Sequence, residues 1–273
     1  MTRHTVFFVS DQTGVTAETM GHSLLTQFDG LDFRAQTLPF VSNLDKANDA
    51  VGKINRAAEI DGCRPIVFST LVQDELREVI RRANALYLDF FDAFIGPMEA
   101  ELNVRSTHSA GKAHGISDAA SYAARINATN FALANDDGGG HDYAAADVIV
   151  IGVSRSGKTP TCVYLALQYG VLSANYPLTE DDLESNGLPA MLQPYRSKLY
   201  GLTISVDRLQ QIRQERKPDS RYASRQQVQY EIRSAEAMFS RFRVPYLNTT
   251  ETSIEEIAAR ILSDMAIERR VRP

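Results

Sequence analysis

The sequence is poor in features that would each point to a particular class of protein. Among its 273 residues are only two cysteines, Cys63 and Cys162, which stand far apart and form no Cys-x-x-Cys pair. Neither a disulfide framework nor a structural zinc site is therefore expected. No apolar run approaches the roughly 20 residues of a membrane helix, and the one near the start is too short for the core of a signal peptide. We expect a cytoplasmic protein with no membrane partner.

The chain also lacks an excess of positive charge. It has 29 Lys and Arg residues against 34 Asp and Glu residues, for a formal net charge of -5. Nucleic acid is therefore not an expected partner, and any site for a polyanion must be local. The apolar fraction of 44% and the charged fraction of 23% are ordinary for globular proteins. The length allows one large domain or two modest ones.

Strand-like and helix-like segments alternate along the first hundred residues. Short apolar runs predict strands at residues 6–9, 35–40, 65–68 and 88–91. Helical patterns between them predict a helix ending near residue 28 and helices at residues 44–60 and 74–85. Such alternation is typical of an α/β fold with a mostly parallel sheet. We assign residues 1–105 to an N-terminal α/β domain.

A connecting segment, residues 106–142, separates this domain from a second α/β domain at residues 143–273. The connection carries His108 and His114, for which surface or hydrogen-bonding roles are expected rather than catalysis, and a predicted helix at residues 117–135. In the second domain, strands are predicted at residues 147–151, 171–176, 199–205 and 244–248. Helices are predicted from residue 160 to a glycine cap at Gly170, near Met191, at residues 207–216 and 223–242, and after a capping box of Ser253 and Glu256.

One segment matches the Walker A pattern in full and lies between a predicted strand and a predicted helix, the context that the pattern requires. It consists of Gly152, Val153, Ser154, Arg155, Ser156, Gly157, Lys158 and Thr159. Here the glycines let backbone N–H groups face phosphates, Lys158 neutralises phosphate oxygens, and the hydroxyl of Thr159 can ligate Mg²⁺. We predict nucleotide binding by this segment, called the phosphate loop below, and a P-loop kinase-like domain around it.

The sequence contains no Asn-Lys-x-Asp element, which a GTPase would use to read guanine, so a switch protein is disfavoured. Phosphoryl transfer instead needs cations around the transferred group. A basic segment downstream of the loop supplies Arg213, Arg216, Lys217, Arg221 and Arg225. It is either a lid over phosphates or a solvated surface, and the two interpretations are evenly balanced.

A second polar loop follows the first predicted strand and precedes a helix. Its candidate phosphate or substrate contacts are Ser10, Asp11, Thr13, Gly14 and Thr16. Hydroxyls and free N–H groups converge there, at the end of a strand where α/β sheets bind ligands. An ordinary polar turn is the alternative.

Several segments together resemble the bacterial phosphoenolpyruvate synthase regulatory proteins, over nearly the whole chain. The segments are Ser-Asp-Gln-Thr-Gly-Val-Thr-Ala-Glu at 10–18, Tyr-x-x-Arg-Ile at 122–126, Asp-Asp-Gly at 136–138, the phosphate loop extended by Pro-Thr at 160–161, Ala-Asn-Tyr-Pro-Leu at 174–178 and Ser-Arg-Tyr-Ala-Ser at 220–224. The extended loop is more specific than a bare Walker A pattern. Related proteins act on pyruvate, phosphate dikinase.

The resemblance implies a bifunctional enzyme. Such proteins use ADP to phosphorylate a threonine of phosphoenolpyruvate synthase, which inactivates it, and use inorganic phosphate to remove that group as pyrophosphate. Mg²⁺ is expected beside Thr159. Asp137 is the first candidate for a catalytic carboxylate beside Lys158, with a turn or capping role as the alternative, and Asp11 and Asp207 are weaker candidates. No Asp ends the predicted strand 199–205 in the Walker B manner. A homodimer is plausible from fold-level analogy.

Two other classes of function stay open. A metabolite kinase of the shikimate or adenylate type would share the phosphate loop and the basic lid, but it would not need the additional N-terminal domain. A nucleotide sensor without catalysis would need neither a lid nor a base.

Overall fold

A computed structural model describes residues 4–107, 119–137, 142–185 and 187–271. It divides the chain into two compact units, Met1–Ser117 and Asp118–Pro273. Each unit is built around one parallel four-stranded sheet with helices, which confirms the predicted α/β class. The finer division at residues 105 and 142 stays a prediction.

The first unit has its four strands in the order β2-β1-β3-β4. These are β1 (His4–Val9), β2 (Phe33–Leu38), β3 (Ile66–Ser69) and β4 (Leu86–Asp89). Its helices are α1 (Val15–Leu25), α2 (Leu44–Asp61), α3 (Asp74–Arg81) and α4 (Phe90–Leu102). Because side chains alternate along a strand, Phe7 and Val9 of β1 join one apolar cluster with α2 and α3, whereas Val6 and Phe8 join another with α1. The sheet is therefore covered on both faces.

The second unit has the order β6-β5-β7-β8, again with all neighbours parallel. Its strands are β5 (Val148–Gly152), β6 (Ser173–Pro177), β7 (Leu199–Thr203) and β8 (Tyr246–Asn248). Its helices are α5 (Ala119–Ala134), α6 (Lys158–Tyr169), α7 (Glu180–Glu184), α8 (Val206–Arg216), α9 (Arg225–Phe242) and α10 (Ile254–Asp264), with short 3₁₀ helices at Ala190–Lys198 and Arg221–Ala223. Ile149 and Ile151 of β5 pack in the cluster that includes residues of α8 and α9, and Val148 and Val150 in the cluster of α5, α6 and α10.

Several local predictions are confirmed in this unit. Gly170 ends α6 in a left-handed conformation with φ 66°, and Ser253 and Glu256 form the expected capping box at α10. The helix predicted at residues 223–242 is present as α9, which buries Val228, Ile232, Ala235 and Phe239 on one face. Within the described ranges, no helix has both the length and the apolar composition to cross a membrane.

The region after β3 differs from its prediction. A strand was expected at residues 88–91, but β4 ends at Asp89 and Phe90 begins α4. The reason is the side chain of Asp89, which accepts hydrogen bonds from the backbone N–H groups of Phe91 and Asp92 at 3.0 Å and so caps a helix. Helix α4 was not predicted, and neither was helix α7, which begins with a capping box of Thr179 and Asp182.

Candidate functional site

The phosphate loop lies where an α/β sheet places its ligand crevice. Strand β6, the next along the chain, pairs with one edge of β5, and the later strand β7 pairs with its other edge. Such a reversal of strand order leaves a crevice outside the carboxyl end of the first strand. The phosphate loop leaves β5 at this end and opens helix α6.

The backbone of the loop depends on two glycines. A Cβ at Gly152 would collide with the carbonyl oxygen of Leu202 in β7 and lie 2.8 Å from Oγ of Ser156, so only glycine allows this close approach. Gly157 has φ 96° and precedes α6. Between them, Arg155 has φ 72°, which is strained for a residue with a side chain and is typical of functional loops.

Lys158 is folded back onto the loop that carries it. Its Nζ donates a hydrogen bond of 3.0 Å to the carbonyl oxygen of Val153, and the side chain is almost fully buried. Burial lowers the pKa of Lys158 to about 8, although the nearby carboxylates of Asp137 and Asp136 act in the opposite direction. A bound phosphate group would be a negatively charged partner for this buried ammonium and would favour its charged form.

A polar pocket of about 650 Å³ opens in front of the loop. Its lining combines the loop with the end of α8 and the residue after Asp136: Asp137, Ser154, Arg155, Gly157, Lys158, Thr159, Pro160, Ile212, Arg216, Lys217 and Tyr222. The predicted residues Asp137 and Arg216 thus meet the phosphate loop in one cavity. Four cationic side chains and one carboxylate line it, a composition suited to a phosphorylated ligand.

A second polar cluster lies at the start of α6. The hydroxyl of Thr159 donates to Oδ1 of Asp136 at 2.8 Å, and Nδ2 of Asn175 lies 2.5 Å from the same oxygen and 3.0 Å from Oγ1 of Thr159. The same Nδ2 lies 3.4 Å from Oδ1 of Asp137. Asn175 is fully buried in β6. Asp136 and Asn175 had no predicted role.

Arg213, predicted with Arg216 and Arg221 to contact phosphate, instead lies buried behind the loop. Its guanidinium donates to Oε2 of Glu231 at 2.6 Å and to the backbone oxygens of Ser154 at 3.0 Å and Tyr222 at 3.1 Å. It also lies over the Tyr222 ring, 4.2 Å from the centroid. The hydroxyl of Tyr222 in turn bonds Oγ of Ser154 at 2.9 Å. Arg213 therefore joins the loop to the segment that covers it.

The remaining cations of the basic segment divide between the pocket and the surface. Arg216 and Lys217 line the pocket. Arg221 is 77% exposed and pairs with Glu180 at 3.3 Å, and Arg225 pairs with Asp207. Arg216 and Lys217 thus border the pocket, as a lid over phosphates requires, whereas Arg221 and Arg225 belong to the solvated surface. The lid itself stays a prediction.

The predicted contacts in the first unit form the turn between β1 and α1. Ser10, Asp11 and Gly14 are buried, Thr16 is half-buried and Thr13 is exposed. Asp11 accepts a backbone hydrogen bond from Val72, and burial raises the pKa of its carboxyl group. Within the described chain, Oδ2 of Asp11 has no hydrogen-bond partner.

Some candidates lie elsewhere. His108 and His114, and Gly138 of the Asp-Asp-Gly segment, fall outside the described residues. Strand β7 ends at Thr203, whose hydroxyl donates to Glu236 at 2.7 Å. No aspartate stands at this strand end, as the sequence indicated for the Walker B position. A sequence signal for Asn175 existed, because an amide inside a buried strand must find polar partners.

Comparison with known proteins gives a consistent result. The model of a family described as kinase/pyrophosphorylase matches residues 6–262. A protein of Marinobacter nauticus is 53% identical over 268 residues, covering 98% of this chain and 99% of its own length. A protein of Alkalilimnicola ehrlichii is 54% identical over 270 residues, 98% of each chain, and one of Azoarcus sp. is 55% identical over 267 residues, 97% of this chain and 96% of its own. All three carry the name "Putative phosphoenolpyruvate synthase regulatory protein".

Proposed function

The chain belongs to the kinase/pyrophosphorylase family, and from that premise we propose that it is a bifunctional regulator of phosphoenolpyruvate synthase. In one direction it transfers the β-phosphoryl group of ADP to a threonine of the synthase, giving phosphothreonine and AMP. In the other, inorganic phosphate attacks the phosphothreonine, giving threonine and pyrophosphate. The names of the relatives support the target, and the family description supports the two reactions.

The observation that carries the proposal is the composition of the pocket at the phosphate loop. Lys158, Arg155, Arg216 and Lys217 bring four cationic side chains to one cavity of about 650 Å³. Phosphoryl transfer gives the protein little covalent work, so positioning and charge neutralisation supply most of the catalysis. A pocket with this lining meets that requirement for ADP in one direction and for inorganic phosphate in the other.

Some of these residues bind the phosphoryl donor, and one acts on the hydroxyl of the acceptor threonine. Backbone N–H groups of the loop and the ammonium of Lys158 hold phosphate oxygens. Arg216 and Lys217, which also line the pocket, neutralise charge on the transferred group. Asp137, exposed and in the pocket lining, orients the threonine hydroxyl and accepts its proton, which leaves its oxygen free to attack phosphorus. In the reverse direction the same carboxyl group returns a proton to the departing threonine oxygen.

Mg²⁺ is part of the proposal because the site offers the oxygen donors that this ion prefers. Thr159, through its hydroxyl, and the neighbouring Asp136, through its carboxylate, are the residues that would hold it. Bound there, the ion would neutralise phosphate charge and orient the phosphate oxygens.

A single label can follow both reactions. ADP labelled with ³²P at the β-phosphate is incubated with the chain and with phosphoenolpyruvate synthase phosphorylated on its catalytic histidine. We expect label on a threonine of the synthase and unlabelled AMP in solution. After removal of nucleotide, addition of unlabelled inorganic phosphate should move the label from the synthase into pyrophosphate.

Controls separate this activity from the alternatives. ADP labelled at the α-phosphate should leave the synthase unlabelled, because the AMP part is released. Label that stays on ADP throughout, although ADP binds, would identify a nucleotide sensor and reject the proposal. Label that passes to shikimate, or into ATP by transfer between two ADP molecules, but never to the synthase would identify a metabolite kinase.

A further inference from the structure

We propose that Asp136, held in place by Asn175, is the carboxylate that positions Mg²⁺ beside Thr159. In phosphate-loop enzymes an aspartate at the end of a neighbouring strand commonly has this role. This chain would instead take its carboxylate from the end of a helix that precedes the loop in sequence. The proposal rests on the proposed function only in placing a nucleotide in the phosphate loop.

The first support is the direction of the Thr159 hydroxyl. A hydroxyl group has one hydrogen and two lone pairs, and it can ligate a cation only when its hydrogen points elsewhere. In this structure the hydrogen is donated to Oδ1 of Asp136 at 2.8 Å. One lone pair of Oγ1 accepts from Nδ2 of Asn175 at 3.0 Å. The other is left for a cation bound in the pocket, which Thr159 lines. Asp136 thus prepares the hydroxyl as a ligand.

The second support is the way Asn175 fixes Asp136. The backbone N–H of Asn175 donates to the carbonyl oxygen of Asn135 at 3.0 Å, which ties the residue before Asp136 to strand β6. The side-chain Nδ2 of Asn175 reaches Oδ1 of Asp136 at 2.5 Å and Oγ1 of Thr159 at 3.0 Å. Asn175 is fully buried, so the amide that fixes Asp136 is shielded from water. The carboxylate of Asp136 and the hydroxyl of Thr159 are therefore held next to each other before any ligand binds.

The third support is that the usual position offers no carboxylate. Strand β7, the neighbour of β5, ends at Thr203, and the hydroxyl of Thr203 is donated to Glu236. The next aspartate along the chain, Asp207, is 80% exposed and pairs with Arg225. Glu236, Asp207 and Asp136 all lie outside the pocket lining, but Asp136 is the one of these three that bonds Thr159, which lines the pocket. By contrast, the donor set of Asp136 and Thr159 consists of oxygens, which Mg²⁺ prefers together with water and phosphate.

Asp136 and Asp137 would then have separate tasks. Asp136 is half-buried and bonded to Thr159 and Asn175. Asp137 is exposed, lines the pocket and has a left-handed backbone with φ 45°. We assign the metal to Asp136 and the acceptor hydroxyl to Asp137.

The experiment measures ADP binding by isothermal titration calorimetry, once with MgCl₂ and once with EDTA, without any protein substrate. The affinity in MgCl₂ divided by the affinity in EDTA reports how strongly the protein binds the metal in the complex with ADP. In Asp136→Asn the amide oxygen can still accept from Thr159, but the negative charge is gone. We expect this ratio to fall by about 10-fold or more. Binding in EDTA should stay equal or become tighter, because a negative charge near the phosphates is removed.

Two further variants make the result specific. Asp142→Asn removes the same charge from an exposed residue after the end of α5, whose side chain accepts from the backbone N–H of Ala145, and should keep the wild-type ratio. Asn175→Ala keeps both carboxylates but releases Asp136 and Thr159, so the ratio should fall while binding in EDTA persists. The thermal midpoint of each variant is measured alongside, to separate loss of structure from loss of metal support.

Three outcomes would overturn the proposal. Wild-type protein with the same ADP affinity in both buffers, or with no ADP binding, would show that no metal is supported there. Equal weakening of Asp136→Asn in both buffers would give Asp136 a structural role only. Loss of the ratio in Asp137→Asn but not in Asp136→Asn would assign the metal to Asp137. Failure of the proposed function is distinguishable, because ADP binding can keep its dependence on Mg²⁺ and Asp136 while the synthase receives no label.

Discussion

The two units of this chain begin with the same backbone arrangement but carry different chemistry. In both, the first strand lies between the second and the third, and all strands are parallel. Residues 10–14 lead from β1 to α1 and residues 153–157 lead from β5 to α6, so the two loops have equal length. Each ends in a glycine with a left-handed backbone, Gly14 at φ 87° and Gly157 at φ 96°. The fold therefore provides the same loop length and the same glycine turn in both units, whatever side chains the loops carry.

The difference lies in the side chains that the two loops present. The first helical residue is Lys158 in the second unit and Val15 in the first, and each is followed by a threonine. The first loop has no cation of its own, and it buries a carboxylate, Asp11. A phosphate at the first loop would find N–H groups and hydroxyls without charge neutralisation. The comparison teaches that a glycine-capped turn supplies geometry, whereas lysine and arginine supply the affinity for a charged nucleotide.

The largest expected effect comes from removing the cation that distinguishes the loops. Lys158→Ala should lower phosphoryl transfer to the synthase by about 1000-fold or more, since a charge that stabilises the transferred group is lost. Its thermal midpoint should stay near that of the wild type. The equivalent substitution in the first unit, Val15→Ala, should leave ADP affinity within about twofold. Unimpaired transfer by Lys158→Ala would refute the central role of the phosphate loop.

A pair of glycine substitutions sharpens the comparison of shape. A Cβ at Gly14 would lie 2.7 Å from Cγ2 of Thr37, whereas a Cβ at Gly157 would meet nothing within 4 Å. Both alanine variants bear the strain of a left-handed backbone, about 1 to 2 kcal/mol, and Gly14→Ala adds about 1 to 3 kcal/mol of overpacking. Urea dependence of hydrogen exchange in β1 and β5 reports each unit separately. Equal losses in the two units would contradict the packing difference.

The pKa of Lys158 predicts a dependence of ADP binding on pH. Burial lowers this pKa to about 8, and the anionic phosphate favours the charged amine, so binding takes up a proton at higher pH. ADP affinity should therefore be greatest below pH 8 and fall by up to about tenfold per unit above it. Calorimetry between pH 7 and 9.5 measures the slope. Lys158→Arg keeps its charge throughout, and the same decline in that variant would show that another group titrates.

The smallest expected effect concerns Asp11, the buried ionisable group of the first loop. Burial raises the pKa of its carboxyl group above the ordinary value, so the folded state holds its proton more tightly than the unfolded state. Its ionisation therefore destabilises the folded unit as pH rises through the folded-state pKa, and this penalty disappears below the unfolded value of 3.8. Asp11→Asn should raise stability by about 1 kcal/mol at pH 7. Thermal unfolding at pH 7 and near pH 3.5 should show this gain shrinking, and a constant gain would contradict the ionisation argument.

Local patterns were enough to predict the elements that carry the phosphate loop. The β-branched run before Gly152, the loop pattern and the glycine cap at Gly170 act within a few residues of one another, so the sequence displays them directly. The end of β4 was harder to predict, because three of the four residues from Leu88 to Phe91 are apolar and only the capping bonds of Asp89 make Phe90 the start of a helix.

Contacts between distant segments could not be predicted in the same way. Asp136 meets Asn175 only because the end of α5 packs beside β6. Arg213 resembled its basic neighbours in sequence, and its burial depends on Glu231, which lies on α9. A charge pattern assumes that charged residues face solvent, and it fails where a buried partner is available.

The buried guanidinium of Arg213 has a consequence for how this chain can change over time. It bonds Glu231 and the backbone oxygens of Ser154 and Tyr222, and thus joins three segments that are far apart in the sequence. Lysine could not replace it, because a single ammonium group cannot reproduce the planar fork of donors. Loss of one partner would leave a charge buried without compensation. Positions 213 and 231 should therefore be substituted together or not at all in the descendants of this sequence. Together they limit how far the sequence of the phosphate loop can change.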